Sequence, residues 1–534
     1  MSRAEVENKQ EEEKIEKGGE LLFCGGTNWD TLGRKGTSAD GNLVSPTRLR
    51  PLIGIDIRFV ASGCTSCHCV ALDVEGRCYT WGRNERGQLG HGDMIQRDRP
   101  TVVSGLSKYK IIRAGSGRAH TVVVTKDGKS LSFGWNKHGQ LGTGSTKNEF
   151  ELSPVSCQVP EATNAVCGAD FTVWLSSVEG SSILTAGLPQ YGQLGHGTDN
   201  EYNTKDSSVR LAYEAQPRPR AIASFAGKTI VKVACGTNHT VAVDSNGFVY
   251  TYLVIYRLGH REQKDEWAPR IVDVFQRQNV LPPDAVVSAG SVNSACTAGG
   301  GQLYMWGKIK STGDDWMYPK PLLDLSGWNI RCMDSGSMHH FVGADESCIS
   351  WGHSQYGELG YGPNGPKSSA NPKKVEILDG MHVISVACGS AHSMVVVDRA
   401  NIGDRLDQLD VYDGKASVEG SEEPKAKSPA AKKTTKNNSA KASNSKKRNK
   451  SNDSSESEEE ENESDDDSED GSEDENGHIE EKRQRGRGRG RGAKKPAVEK
   501  STGRGRGRPP AAEGKKTSQR GRGTGGKRGR PRKS

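Results

Sequence analysis

Short runs of alternating apolar and polar residues recur along most of the first four hundred positions. The runs at residues 121–125 (TVVVT) and 240–244 (TVAVD) have this period of two, and glycine, asparagine or aspartate bounds them. A period of two places alternate side chains on one side of a strand, and turn residues at both ends favour hairpins. The pattern therefore predicts short antiparallel strands, and no long amphipathic helical pattern interrupts them.

A glycine-rich string recurs at nearly constant spacing. Residues 83–92, 135–144 and 189–197 each contain Gly-Gln-Leu-Gly, and their leucines stand at 89, 141 and 194, which are 52 and 53 positions apart. Weaker copies occur at residues 257–260 and 356–362, and an opening copy at 25–33. A fixed period of this size is typical of a repeat architecture in which each unit is one supersecondary element.

Each repeat divides into two halves. The first halves begin near Ile57, Ile111, Asn164, Ile230, Val286, Ile330 and Val383, and the second halves near Leu22, Tyr79, Leu131, Ile183, Val249, Leu303 and Ile349. Seven copies of each half predict an all-β, seven-bladed propeller over residues 20–400. Because the chain opens with a lone second half and ends with a lone first half, we expect the two to form one blade that closes the ring and leaves few free strand edges.

Composition and charge divide the rest of the chain. Residues 1–19 form a charged extension and residues 401–424 a linker, and aromatic residues are absent after Gly414. Residues 425–452 carry ten Lys/Arg and no carboxylate, 453–481 carry seventeen Asp/Glu and no Lys/Arg, and 482–534 carry twenty-one Lys/Arg against two Glu. The net charge is +10 for residues 415–534 and −3 for residues 1–414. Long blocks of like charge predict a disordered tail that acts as an interaction arm.

The repeat carries a family resemblance. The strings at residues 234–240 (ACGTNHT), 244–250 (DSNGFVY) and 81–92 (WGRNERGQLGHG) resemble the regulator of chromosome condensation repeat, and the resemblance covers roughly residues 20–400. It implies a propeller that binds a small GTPase of the Ran, Rac or Ral type, with guanine nucleotide exchange as a candidate activity. It also implies roles in chromosome or microtubule organisation during cell division. The sequence itself shows no catalytic centre, and an interaction protein is favoured over an enzyme.

The resemblance also suggests where a GTPase would bind. It implies that the loops before the second strand of each repeat face the partner, which makes His120, Asp170, His239, His339 and His392 candidate contacts. The alternative is structural, because a histidine that recurs once per repeat is typical of a hydrogen-bonding group at a strand start. A second candidate is the long insertion at residues 198–228, a functional or a passive loop. Its candidate contacts are Arg210, Tyr213, Arg218 and Arg220.

The tail contains motifs for polyanion binding. Two Arg-Gly-Arg-Pro elements resemble the AT-hook, whose arginines enter the narrow minor groove of A·T-rich DNA. They are Arg506-Gly507-Arg508-Pro509 and Arg528-Gly529-Arg530-Pro531. Residues 485–492 and 520–523 resemble Arg-Gly segments that bind RNA, so a nucleic-acid-binding scaffold without GTPase activity is the alternative function. Lys446, Lys447, Arg448 and Lys450 form a candidate nuclear-import cluster.

These motifs favour a nuclear protein on chromatin, with the nucleolus and the spindle as further candidate sites. Histones and microtubules are further candidate partners, and no cofactor is expected. No run of about eighteen apolar residues occurs, so no membrane partner is expected. The string at residues 64–68 (CTSCH) matches the pattern for c-type haem attachment. His68 stands at the repeat's histidine position, however, and we predict no metal site.

One repeat departs from the pattern. After Tyr250 and Thr251 the repeat expects Trp-Gly and a turn glycine, but residues 252–257 read YLVIYR. The departure predicts either a changed outer loop in this blade or a sequence that derives from an altered transcript.

Overall fold

The computed structural model describes residues 17–32, 34, 41–203, 211–253, 259–260, 266–308, 316–400 and 402–414. The regular structure in these residues is almost entirely β, and it forms a seven-bladed propeller, as the repeat predicts. The chain opens with β1 (Glu20–Gly25) and β2 (Leu43–Leu49). Blades 1 to 6 follow along the chain, and blade 7 combines residues 383–397 with residues 20–49.

Blades 1 to 3 span residues 57–102, 111–156 and 162–221. Blade 1 contains β3 (Ile57–Ala61), β4 (His68–Asp73), β5 (Cys78–Gly82) and β6 (Arg97–Val102). Blade 2 contains β7 (Ile111–Ser116), β8 (His120–Thr125), β9 (Ser130–Trp135) and β10 (Phe150–Ser156). Blade 3 contains β11 (Ala162–Cys167), β12 (Phe171–Ser176), β13 (Ile183–Gly187) and, after a separate hairpin of β14 (Glu201–Asn203) and β15 (Leu211–Tyr213), β16 (Gln216–Ala221).

Blades 4 to 6 span residues 230–271, 287–321 and 330–374. Blade 4 contains β17 (Ile230–Cys235), β18 (Thr240–Asp244), β19 (Val249–Leu253) and β20 (Glu266–Ile271). Blade 5 contains β21 (Val287–Ala289), β22 (Asn293–Thr297), β23 (Leu303–Gly307) and β24 (Trp316–Pro321). Blade 6 contains β25 (Ile330–Ser335), β26 (His339–Ala344), β27 (Ser347–Gly352) and β28 (Ser369–Lys374).

The remaining elements are short. β29 (Val383–Cys388) and β30 (His392–Val397) open blade 7, and a helical turn, α1 (Gly403–Leu406), and β31 (Val411–Tyr412) follow it. Six of the linkers between blades in the described residues contain a 3-10 helix: Arg50–Leu52, Ser104–Leu106, Ala223–Phe225, Arg277–Asn279, Leu323–Leu325 and Glu376–Leu378. A further 3-10 turn, Gly299–Gly301, joins β22 to β23.

The first strand of each blade lines a central channel. These seven strands contact one another around the ring, and the channel between them encloses about 280 Å³. Small residues such as Ala, Ser, Gly and Cys predominate in its wall, so the seven strands can approach closely. Asp334 is a carboxylic acid in this wall, and its carboxylate accepts a hydrogen bond from the Cys388 amide at 2.7 Å. Burial raises the pKa of Asp334 to about 7.

Blade 7 closes the ring as predicted. β1 lies between β30 and β2, with Leu22 opposite Val395, and every residue of β1 is buried. Alternate side chains of β1 enter two different clusters, Leu21 and Phe23 between blades 7 and 1, and Leu22 and Cys24 between blades 6 and 7. The described apolar core consists of seven such clusters, one at each boundary between neighbouring blades. The ring is therefore held together at the interfaces between its blades.

The segment after blade 7 is part of the folded unit, although the sequence predicts a linker from residue 401. β31 pairs in parallel with the outer edge of β2, and Leu406 of α1 is buried in the cluster between blades 6 and 7. Arg48 pairs with Asp407 at 2.9 Å, and the Arg99 guanidinium donates to the Asp413 carbonyl at 2.6 Å. Residues 402–414 therefore bind the closing blade to blade 1.

Blade 4 keeps four strands despite its unusual sequence. Tyr252 pairs with Thr240 in the same register that pairs Trp81 with Cys69 in blade 1, and Tyr252 is fully buried between blades 3 and 4. The tyrosine ring thus takes the core position that tryptophan fills in blades 1, 5 and 6. Residues 254–258, which complete the departure from the repeat, lie outside the described residues.

Arg58 connects the first strands of two blades. Its buried guanidinium donates to the Asp73 carbonyl at 3.1 Å in blade 1 and to the Ile111 carbonyl at 2.7 Å in blade 2. Arg58→Met should lower the free energy of unfolding by about 2–3 kcal/mol, because both buried carbonyls lose a charged donor. Urea denaturation measures the change.

Arg113→Met is the matched control. Arg113 is half-buried; its guanidinium lies 5.7 Å from the Phe59 ring centroid of blade 1, but its hydrogen bond, at 2.9 Å, goes to the carbonyl of its neighbour Ile112 in its own blade. We expect a change below about 1 kcal/mol for this variant. Equal losses for the two variants would contradict the cross-blade role of Arg58.

Candidate partner-binding face

The meander order of each blade places its loops on two opposite faces. Loops that join first to second strands and third to fourth strands share one face, which we call the loop face. Hairpins that join second to third strands and linkers between blades share the other, the linker face. The first-to-second loops of the loop face are residues 62–67, 117–119, 168–170, 236–239, 290–292, 336–338 and 389–391. They include the candidate histidine and aspartate positions or precede them directly.

A glycine and a histidine shape most of these loops. In blade 2 the Gly117 amide donates to the His120 carbonyl at 2.9 Å, which closes a tight turn. The imidazole folds back over the glycine, and a Cβ on Gly117 would lie 2.2 Å from His120 Cε1. The same overlap occurs in blades 4, 6 and 7, so the recurring glycine makes room for the recurring histidine.

The histidines connect neighbouring blades. The Nε2 atoms of four of them lie within hydrogen-bond distance of a hydroxyl on the second strand of the next blade. The pairs are His68 with Thr121 at 2.8 Å, His120 with Thr172 at 3.0 Å, His239 with Ser294 at 3.0 Å and His339 with Ser393 at 2.9 Å. His392 closes the ring against blade 1, at 3.0 Å from Ser62 Oγ and 3.1 Å from Cys69 Sγ.

The hydroxyl partners fix the tautomer of these histidines. Thr121 Oγ1 donates to the Gln88 carbonyl at 2.8 Å, and Thr172 Oγ1 donates to the Gln140 carbonyl at 2.7 Å. Because each threonine hydroxyl donates its own proton to a carbonyl, it accepts a hydrogen bond from the imidazole. The imidazole proton therefore resides on Nε2. One chain of bonds thus connects a histidine, the next blade and the Gly-Gln-Leu-Gly turn.

These histidines are neutral at physiological pH. Burial lowers the pKa of His68, His120 and His392 to about 3 in each case. Burial is the leading cause because the protonated ring would lose its hydration without gaining an anionic partner.

The direct GTPase contact suggested for His120, His239, His339 and His392 stays a prediction. All four residues are at most 1% exposed, and their Nε2 atoms face the neighbouring blade. A partner at the loop face would meet the loop backbones and their exposed side chains. The alternative interpretation gave the recurring histidines a structural role, and these imidazoles do form hydrogen bonds at the strand starts.

Asp170 lies on the loop face in an ion pair. Its side chain is 6% exposed and accepts from Arg118 Nη2 at 2.7 Å, whereas the Arg118 side chain is 42% exposed. A partner at this position would therefore meet the guanidinium first. Sequence reasoning missed Arg118 because it stands at a variable position of the turn. The only feature of the sequence that could have identified Arg118 was its position two residues before the recurring histidine.

A cluster of aromatic and basic side chains lies beside this pair. The Arg86 guanidinium is 5.3 Å from the ring centroids of both Trp135 and Phe150, and the Trp135 ring contacts the His138 ring edge-on at 5.3 Å. Arginine and aromatic residues are enriched in protein interfaces, and their stacking holds them in place before a partner arrives. These residues also stand at variable positions, and the sequence pattern did not single them out.

The insertion in blade 3 extends the loop face with a two-stranded ribbon. β14 pairs with β15, with Tyr202 opposite Ala212, and Tyr202 is 51% exposed. Of the predicted contacts, Tyr213 lies on β15 and is half-buried, whereas Arg218 and Arg220 are exposed on β16, the outer strand of the blade. The Leu188 amide donates to the Asp170 carbonyl at 2.9 Å, a backbone bond that recurs in other blades, as from Arg83 to Cys67 in blade 1.

Several predicted residues lie outside the described residues. They are Arg210, the cluster Lys446, Lys447, Arg448 and Lys450, and the two elements Arg506, Gly507, Arg508, Pro509 and Arg528, Gly529, Arg530, Pro531. Their roles stay predictions.

Within the described ranges, no three His, Cys, Asp or Glu side chains are arranged to hold a metal ion. His68 makes the same interblade bond as its equivalents, in agreement with the repeat rather than with haem attachment. Of the helices that the structure describes, none has the length and apolar character needed to cross a membrane.

Comparisons with known proteins identify the repeat. A model of the regulator of chromosome condensation (RCC1) repeat matches residues 75–124, 127–175, 182–243 and 345–396, and a second model of this repeat matches 59–88 and 111–140. The chain is similar to Protein RCC2 of Homo sapiens, with 38% identity over 424 residues that cover 73% of this chain and 79% of that protein. The Protein RCC2 homolog of Xenopus laevis is 37% identical over 422 residues, covering 73% and 80%.

A solved structure supports the fold. Prp20p from Saccharomyces cerevisiae superposes with a TM-score of 0.56 at 17% identity, covering 73% of this chain and 94% of that chain. Likeness at this identity concerns the propeller alone. The repeats and the close similarity to Protein RCC2 show that this chain belongs to the regulator of chromosome condensation repeat family, in the group formed by Protein RCC2 and its homologs.

Proposed function

We propose that the loop face of this propeller binds a small GTPase and regulates its nucleotide state, while the tail attaches the protein to chromatin. The observation that carries the first part is that the loop face presents both the ribbon of β14 and β15, with Tyr202 51% exposed, and the Arg118–Asp170 ion pair. A protruding ribbon beside exposed arginine and tyrosine side chains offers the groups that dominate binding energy in protein interfaces. Family membership and the structure of Prp20p, described for its binding to Gsp1p and histones, support the same class of partner.

A nucleotide-release panel tests the proposal. The full chain is mixed with GTPases of the Ran, Rac and Ral types loaded with a fluorescent guanine nucleotide, and both binding and release are followed. We expect binding to at least one type, with faster release if the protein is an exchange factor. Absence of binding and of acceleration across the panel would contradict the proposal.

Substitution in the ribbon gives a sharper prediction. Tyr202→Ala should weaken GTPase binding at least tenfold, because truncating an exposed aromatic side chain at the centre of an interface typically costs about 1.4 kcal/mol or more. Leu323→Ala is the matched control, since Leu323 is 70% exposed on the linker face. Calorimetric titration measures both. Equal affinity for Tyr202→Ala and the parent chain would place the partner elsewhere.

The tail prediction concerns nucleic acid. Deleting residues 482–534 removes twenty-one Lys/Arg, and we expect most salt-sensitive DNA affinity to disappear. The slope of log affinity against log salt should fall by several units, since each neutralised phosphate contributes about 0.9. The melting temperature of the propeller should not change. Unaltered DNA binding after the deletion would refute a chromatin tether in this segment.

The Arg-Gly segments at residues 485–492 and 520–523 favour a second candidate function, RNA binding by a scaffold without GTPase activity. Crosslinking in cells distinguishes the two. Recovery of A·T-rich genomic DNA supports the tether, whereas recovery of mainly transcripts supports the RNA-binding scaffold.

A further inference from the structure

Four lysines gather on the linker face of blade 2. Lys108 and Lys110 belong to the linker after β6, and Lys126 and Lys129 belong to the hairpin between β8 and β9. All four are exposed. Together with Tyr109 and Asp127 they line one concavity of about 560 Å³, which we call the lysine pocket.

The backbone holds the two segments of the lysine pocket together. The Lys126 amide donates to the Lys110 carbonyl at 2.8 Å. Lys108 Nζ and Lys129 Nζ lie 5.1 and 5.9 Å from the centroid of the Tyr109 ring. The Lys129 ammonium pairs with the only carboxylate of the pocket, Asp127, at 2.6 Å. The pocket therefore carries a net charge of about +3 at a fixed position, by the ordinary ionisation of these groups.

The repeat does not require these lysines. The same linker and hairpin positions carry a single lysine, Lys228, in blade 4, and they are mixed or acidic in the other described blades. In blade 3 they carry Glu161 and Glu179, and in blade 6 they carry Asp324, Asp345 and Glu346. Residues 1–414 as a whole have a net charge of −3. Like charges this close repel one another, and an anionic ligand would offset that cost.

The shape of the charged region restricts the ligand. Blade 3 presents acidic residues on one side of the pocket, and the hairpin of blade 1 presents Glu75 on the other. A long polyanion that continued across the face would meet these carboxylates. A compact anion that fills only the concavity would not. One phosphate carries about −1.5 to −2 at neutral pH, so two phosphates balance the pocket.

We propose that the lysine pocket of blade 2 binds a compact group with two or more phosphates, either a free polyol phosphate or the headgroup of a phosphorylated lipid. Lysine ammonium groups suit this ligand because they bind phosphate as point charges from any direction. The site lies on the face opposite the proposed GTPase surface, so both can be occupied at once. It does not depend on the GTPase proposal.

A lysine-labelling footprint tests the site in the full chain. Amine acetylation at each lysine is followed by mass spectrometry at about 0.15 M salt, a condition that screens distant charges. The probes are inositol hexakisphosphate and phosphatidylcholine vesicles that contain phosphatidylinositol 4,5-bisphosphate. Lys228 and Lys373 are matched controls, because their ammonium groups lie 5.0 and 5.1 Å from the Tyr250 and Tyr361 rings. Their surroundings therefore resemble that of Lys108.

At a probe concentration about four times Kd, acetylation of the four pocket lysines should slow about fivefold. The rates at Lys228 and Lys373 should not change. In the double variant Lys110→Gln and Lys126→Gln, the protection of Lys108 and Lys129 should disappear. Lys228→Gln should leave it intact. All six lysines are exposed, so these variants will fold.

Each outcome decides the proposal. Protection by inositol hexakisphosphate supports the site and assigns a free ligand. Protection by the vesicles alone supports the site and assigns a lipid headgroup. The proposal is overturned if neither probe protects the four lysines, if the control lysines slow equally, or if duplex DNA protects the pocket as strongly as either probe.

Discussion

Removal of residues 1–25 will abolish the cooperative thermal unfolding of the propeller, and removal of residues 1–16 will not. The longer deletion removes β1, whose Leu21 and Phe23 pack against blade 1 and whose Leu22 and Cys24 pack toward blade 6. Burial of each such side chain contributes roughly 1.5–3 kcal/mol, or about 6–12 kcal/mol for the four together. The whole free energy of unfolding of a domain is only about 5–15 kcal/mol.

The two deletions form a matched pair because they differ only by residues 17–25. Differential scanning calorimetry of both chains measures the effect. If the chain without residues 1–25 melts cooperatively within a few degrees of the parent, the closing blade is not required. The closure scheme would then be wrong.

Acid will unfold the propeller at a pH well above the usual carboxylate range. Burial lowers the pKa of His68, His120, His340 and His392 to about 3 in the folded chain. The ordinary histidine value of about 6.5 applies to the unfolded chain. Below pH 6.5 the unfolded chain binds protons that the folded chain cannot bind. Each histidine then lowers the free energy of unfolding by about 1.4 kcal/mol per pH unit, until the pH reaches its pKa in the folded chain.

Together the four histidines should lower the free energy of unfolding by roughly 8 kcal/mol between pH 6.5 and 5. Asp334 acts in the opposite direction, because its pKa is raised to about 7 and it gains a proton first in the folded chain. A single carboxyl offsets only one of the four histidines. Stability is therefore greatest between about pH 6.5 and 7, because Asp334 is deprotonated at higher pH, and it falls steadily as the pH drops from 6.5 toward 3.

Urea midpoints at pH 7.5, 6 and 5 measure this dependence. The variant His120→Asn removes one titrating group and should reduce the slope of the unfolding free energy against pH by about 1.4 kcal/mol per unit in this range. A midpoint that stays constant from pH 7.5 to 5 would show that the histidines are not buried in the neutral form.

The repeat pattern predicted most of the fold because each blade is a local unit. The predicted starts at Ile57, Ile111, Ile230, Ile330 and Val383 are the first residues of observed strands. Blade closure followed from counting half repeats. Residues 402–414 were predicted to lie in a linker over 401–424, and their pairing with β2 depends on a strand more than 350 positions away.

The residues of the loop face were harder to predict, because they form contacts between different blades. His120 reaches Thr172, fifty-two positions later, and no local pattern reports that distance. Blade 3 has Phe171 and blade 5 has Asn293 at the histidine position, so the repeat tolerates other residues where the bond is absent. Arg118, which is exposed, and Arg86 and Trp135, which are half-buried, stand at variable positions that a search for the repeat does not detect. The periodic histidines form structural hydrogen bonds, and the side chains that a partner would contact lie beside them.

The central claim is that a GTPase binds the loop face. Hydrogen–deuterium exchange of the full chain, with and without the GTPase that the panel identifies, tests this claim most directly. Binding at the loop face should slow exchange at residues 117–119, 168–170 and 188–203 and leave it unchanged at the linker-face residues 104–110 and 126–129. Slower exchange confined to the linker face would contradict it.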